Sequence, residues 1–212
     1  MRARVWVWMA ALVVLAAPAR AQATDPIGPF VVDVRGLMAG LPTAAGWTPG
    51  DLAEGAVVPS RGYGLEGGAH VYVGRLGAAR IGVGGALGLA RGTALPAESG
   101  LPDVIGRVTT LAPQLSFNFG QRLGWSYLSA GYGGTRFESE AYATTDTEAE
   151  IVSSGWVGTL NFGGGARWFL TEHVGVGFDA RWHRISSRDA TATAAAALRT
   201  SLFHLAVGVS IQ

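Results

Sequence analysis

Residues 156–182, WVGTLNFGGGARWFLTEHVGVGFDARW, carry two runs of alternating apolar and polar side chains. The first half sets Trp156, Gly158, Leu160, Phe162, Gly164, Ala166 and Trp168 against Thr159, Asn161, Gly163, Gly165 and Arg167. After Leu170-Thr171-Glu172-His173, the second half sets Val174, Val176, Phe178, Ala180 and Trp182 against Gly175, Gly177, Asp179 and Arg181. Successive side chains of an extended chain point to opposite sides, so apolar residues at every second position mark a strand with one apolar face. Two such runs joined by a short polar segment read as a hairpin.

Working outward, the same period recurs. Phe30, Val32, Val34 and Gly36 alternate with Asp33 and Arg35. Tyr63, Leu65, Gly67, Ala69, Val71 and Val73 alternate with Glu66, Gly68, His70 and Tyr72. Runs beginning near Arg80 and Leu111 repeat it, and a less regular one spans Trp125 to Arg136, with Leu128, Ala130 and Tyr132 on its apolar face. The last run sets Phe203, Leu205, Val207, Val209 and Ile211 against His204, Ala206, Gly208 and Ser210. The count is eight strands. Their connections alternate as well: short near residues 75–78, 120–124 and 170–173, long at 42–59, 92–105, 137–152 and 186–199. Short turns on one rim and long loops on the other suit an antiparallel up-and-down transmembrane β-barrel, with turns in the periplasm and loops outside the cell.

Composition bounds the alternatives. The chain has 32 Gly, is 49% hydrophobic and only 15% charged, and contains no Cys. Past the N-terminus no apolar run approaches the ~18 residues of a membrane helix. Arg2 and Arg4 precede an apolar run from Val5 to Ala17, then Pro18 and Ala19-Arg20-Ala21. That order predicts a signal peptide over 1–21 and one barrel domain over 22–212. Removing the three arginines of the leader takes the formal charge from +1 to −2, which leaves no electrostatic footprint for nucleic acid.

Period two does not say which face is inside. A soluble lipocalin-type barrel turns its apolar face inward, and a membrane barrel turns it outward. The polar face is crowded with Gly and Ala, at 82, 84, 86, 88, 131, 133, 163, 165, 175, 177, 206 and 208. An eight-stranded barrel has room inside for little more than small side chains, so this face belongs inside. Aromatics on the other face collect at strand ends: Phe119, Trp125 and Trp168 by the tight turns, Tyr63, Tyr132, Trp156, Trp182 and Phe203 by the long loops. They read as two interfacial girdles, and no charge is expected on the lipid face of any strand.

The hairpin from Gly163 to Trp182, with its Gly-rich strand, its turn Leu170-Thr171-Glu172-His173 and its Asp179-x-Arg181-Trp182, resembles the penultimate hairpin of small bacterial outer-membrane β-barrel proteins, the group of the transmembrane domain of outer-membrane protein A. The resemblance implies residence in the outer membrane and says little about activity, since members of the group differ widely in function. Such chains often end in Phe; this one ends Ile211-Gln212.

Inward parity assembles the candidate site: Asp33, Arg35, Glu66, His70, Arg167, Asp179, Arg181, His183 and His204. Buried charges must pair, so a charge-paired plug is expected. A proton-sensitive gate built on the histidines, or a metal site from His183, His204 and Asp179, are the sharper alternatives. The acidic segment 137–152, with Glu138, Glu140, Asp146, Glu148 and Glu150, is expected to be a solvated loop. The function expected is a non-enzymatic integral outer-membrane protein with an envelope-structural, surface-interaction or minor solute-passage role. The rival is a lipid A-modifying hydrolase using His183 with Ser186 or Ser187. Outer-membrane lipid and lipopolysaccharide are the expected partners, with the Sec translocon and the barrel-assembly machinery during biogenesis. A monomer without metal or cofactor is expected.

Overall fold

The computed structural model describes residues 27–43, 57–94, 103–142 and 149–212; the expected signal peptide lies outside them. Eight strands form one sheet: β1 (Phe30–Gly40), β2 (Arg61–Leu76), β3 (Ala79–Ala94), β4 (Val104–Gln121), β5 (Gly124–Tyr142), β6 (Ala149–Phe169), β7 (Val174–Ile185) and β8 (Thr200–Ile211). Each pairs antiparallel with its sequence neighbour, and β1 pairs with β8 to close the barrel. Closure gives every strand two partners, so no sheet edge is left at membrane depth.

The two faces are inverted relative to a soluble protein. Val34 and Leu65 are 59% and 62% exposed, whereas Asp33 and Arg167 are 1% and 2% exposed. Apolar side chains cover the outside and charged ones fill the inside, so the lipocalin alternative fails.

The turns carry their own chemistry. Gly77 takes φ +59 in the β2–β3 turn, a conformation open to a residue without Cβ. The Thr171 hydroxyl accepts from the backbone N–H of His173 and Val174, at 3.3 and 3.0 Å, fixing the β6–β7 turn. Pro113 lies in mid-strand, where the β4–β5 ladder skips from Leu111↔Gly134 to Gln114↔Gly131. The register is the same on either side, so the gap is the local loss of pairing expected where a residue has no N–H to donate.

Two sequence expectations need correction on the long-loop rim. Segment 137–152 is largely strand: β5 runs 19 residues and β6 runs 21, well past the ~10 that cross a bilayer. Glu138 pairs with Arg136, and Glu140 lies 2.6 Å from Arg107, so these acids are ion-paired on a sheet. Asp146 and Glu148 lie outside the described residues. The same extension overturns the expectation of a charge-free outer face. Arg91, Arg107, Arg136 and Arg184 share the parity of the outward-facing apolar residues on their strands, at the upper end of each. The Ala/Thr run after Asp189 folds back on itself through bridges Arg188↔Ala197 and Thr191↔Ala194.

Candidate functional site: the sealed lumen

Three acids and three arginines meet at mid-barrel, where parity aims them inward. Asp33 on β1 accepts from Arg167 Nε at 2.9 Å and Nη2 at 2.6 Å, a bidentate pair that crosses from β1 to β6. Ser210 on β8 donates to the same carboxylate at 2.6 Å, and Arg35 Nη2 lies 2.8 Å away. Arg35 then donates to Glu66 Oε1 on β2 at 3.1 Å. Above this set, Arg181 donates to Asp179 Oδ1 and Oδ2 at 3.0 and 2.9 Å, to Asn161 at 2.9 Å and to Ser129 at 2.7 Å. Tyr127 donates to Asp179 Oδ2 at 2.7 Å, and its ring lies 4.1 Å beneath the Arg167 guanidinium. Opposite charges balance one for one, which low dielectric demands of a buried cluster.

The three histidines take no part in these ion pairs. The rings of His183 and His204 lie 4.1 Å apart on neighbouring strands. His70, on β2, is buried beside Gly84. Asp179 is committed to Arg181 and Tyr127, and among the described residues no three His, Cys, Asp or Glu side chains gather as a metal centre would require.

Apolar plugs close the polar layer at both ends. Toward the short turns, Ile27, Val31, Tyr72, Trp125, Tyr127 and Phe169 form one cluster, with Trp125 and Phe169 stacked at 4.9 Å. Toward the long loops, Leu37, Leu41, Val108, Phe137, Val157, Ile185 and Leu202 form another. Beside Glu66, Gln114, Arg181 and His183 a void of about 10 Å³ remains, room for roughly one water.

Trp125 corrects the girdle expectation. It is 3% exposed and points inward, while Tyr63, Phe119, Tyr132, Trp156, Trp168, Trp182 and Phe203 all face outward. The signal was in the sequence: Trp125 and Tyr127 share the parity of Ser129, opposite to Leu128 and Tyr132. Phe169, the inward residue after Trp168, follows the same parity and is buried.

The hydrolase alternative needs a nucleophile beside His183. The two serines offered for it, Ser186 and Ser187, are exposed, and the Ser186 hydroxyl lies toward Gly158 and Tyr132 on the outer face. His183 is buried in the lumen against His204.

No protein-family model matches the chain, and no curated protein matches it in sequence. Solved structures do match. Ail, the attachment invasion locus protein of Yersinia pestis, is 14% identical over 87% of this chain and 98% of its own, with a TM-score of 0.52. Ail in complex with the heparin analogue sucrose octasulfate is 10% identical over 86% and 96%, also at 0.52. Neisserial surface protein A is 14% identical over 87% and 97%, at 0.51. Identities this low speak to the fold and not to a shared activity. The chain therefore has the fold of the small eight-stranded barrels of the bacterial outer membrane, and its apolar exterior belongs in that bilayer.

Proposed function

We infer that this protein is a non-enzymatic, non-conducting outer-membrane barrel that serves envelope structure and surface interaction through its long-loop rim. The observation that carries this reading is the lumen: a balanced ionic layer held between two apolar plugs. A solute crossing it would have to strip paired charges and displace packed aromatics. Solute passage is therefore the least favoured of the roles expected from sequence. A monomer exported through the Sec translocon and inserted by the barrel-assembly machinery fits this reading. The long-loop rim is where strands β4, β5 and β6 rise furthest, and Ail, a barrel of the same fold, has been solved with a polysulfated sugar.

Planar-bilayer recording on the refolded protein tests the sealed lumen. No unitary steps are expected in molar salt, and a steady ohmic conductance would overturn the reading. The non-enzyme half has its own test. Lipid A mass spectra of a host expressing the protein should match those of the host alone. A mass change that disappears in His183→Ala would establish the hydrolase instead.

A further inference from the structure

Two of the outward-facing arginines, Arg91 and Arg107, sit in one cross-strand row. Tyr63 pairs with Arg91, Arg91 with Arg107, and Arg107 with Glu138. Like charges directly opposite on one sheet face destabilise it unless something lies between them. The acids nearby do not supply that for Arg91. Glu138 pairs with Arg136, Glu140 pairs with Arg107, and Arg91 has no carboxylate partner among the described residues. One step down the ladder the surface turns apolar, with Leu65 and Leu89 62% and 50% exposed. Between the two levels lies an open cleft of about 360 Å³ with Leu65 and Leu89 as its floor, Tyr63, Arg91, Arg107 and Thr109 as its walls, and Glu138, ion-paired with Arg136, at its edge.

We propose that this cleft is a binding site for a phosphorylated glycolipid of the outer leaflet, with the Arg91–Arg107 pair clasping a phosphate and the leucine floor receiving the start of an acyl chain. Three features select this occupant. The row lies where the apolar belt ends on the long-loop rim, which is the headgroup level of the outer leaflet. Arginine forks match phosphate geometry and hold it through paired hydrogen bonds. A ligand that is anionic above and apolar below fits both halves of the cleft, whereas a soluble anion would use only the upper half. The proposal deepens the surface-interaction reading and rests on its placing of this rim outside the cell.

Native mass spectrometry of the detergent-solubilised protein titrated with bisphosphorylated lipid A tests it. Arms with dephosphorylated lipid A and with phosphatidylglycerol separate phosphate from bulk lipid and glycolipid from phospholipid. Bisphosphorylated lipid A should bind most tightly. Arg91→Gln should weaken it about tenfold, the loss of a charged hydrogen bond, while Arg75→Gln on the short-turn rim should leave it unchanged. Arg91 has no carboxylate partner among the described residues, so Arg91→Gln should fold normally, as heat-modifiable gel migration will report. Equal binding by dephosphorylated lipid A or phosphatidylglycerol would overturn the proposal. So would wild-type affinity in the Arg91→Gln, Arg107→Gln double variant. Conductance of the same preparation keeps the two readings apart: a conducting barrel with Arg91-dependent binding sinks only the sealed lumen, and a silent barrel without it sinks only this site.

Discussion

Replacing Asp33 by asparagine is expected to destabilise the folded barrel by about 3–5 kcal/mol, the cost of leaving a buried counter-ion unpaired. Asp33 receives Arg167 in a bidentate pair, Ser210 through a hydroxyl, and Arg35 as a second cation. An amide keeps the shape of the carboxylate and removes its charge, so two guanidiniums lose their anion at a site 1% exposed. Of the other lumen carboxylates, Glu66 pairs with Arg35 and Asp179 with Arg181. Urea titration of refolding, followed by heat-modifiable migration, measures the loss. A second variant separates ion pairing from packing. Asp33→Asn combined with Arg167→Met removes both charges, and it should recover a large part of the stability, because an apolar replacement for a buried pair is often neutral. A single variant as stable as wild type would show that the barrel does not depend on this pair.

Gly165→Ala is the second large effect, about 2–3 kcal/mol, the cost of forcing atoms into a packed site. A Cβ at Gly165 would lie 1.9 Å from the carbonyl oxygen of Phe178 on β7 and 2.8 Å from the Tyr127 hydroxyl. The first contact is with backbone of the paired strand, so β6 and β7 must separate. The second displaces the hydroxyl that donates to Asp179. Gly67→Ala is the control, since a Cβ there meets nothing within 4 Å on the lipid face. It should change stability by less than ~0.5 kcal/mol, as substitutions away from packed features do. Equal refolding midpoints for the two variants would mean that the inward glycines do not set the fit between strands.

Strand number, strand parity and the inverted faces were legible in the sequence, because each is a local property. Gly163 and Gly165 on the polar side already required a narrow interior, and the exposed Val34 and buried Asp33 agree with that choice. Strand length was less legible. Past Arg136 the β5 pattern continues as Phe137, Ser139 and Ala141 inward, but the outward positions become Glu138 and Glu140. Charge at those positions reads as loop until the partner strand supplies Ser153 and Ile151 opposite them. Trp125 was misplaced for a different reason: an aromatic beside a tight turn suggests a girdle, and the neighbouring Ser129 outweighs that suggestion only if parity is followed to the strand end. The free position of Arg91 had no signal at all without the register that sets it against Arg107.

Eight alternating strands, the face that meets lipid and the nine ionisable side chains that turn inward can all be read from the chain. Those follow from the two-residue period of the extended chain. Which of them meet is set by the closed sheet. Asp33 and Arg167 are 134 residues apart, and their contact depends on the tilt and stagger with which β1 closes on β8. The same sheet sets Arg91 directly opposite Arg107 on the outer face. Parity tells a side chain its direction, but only the closed sheet gives it a neighbour.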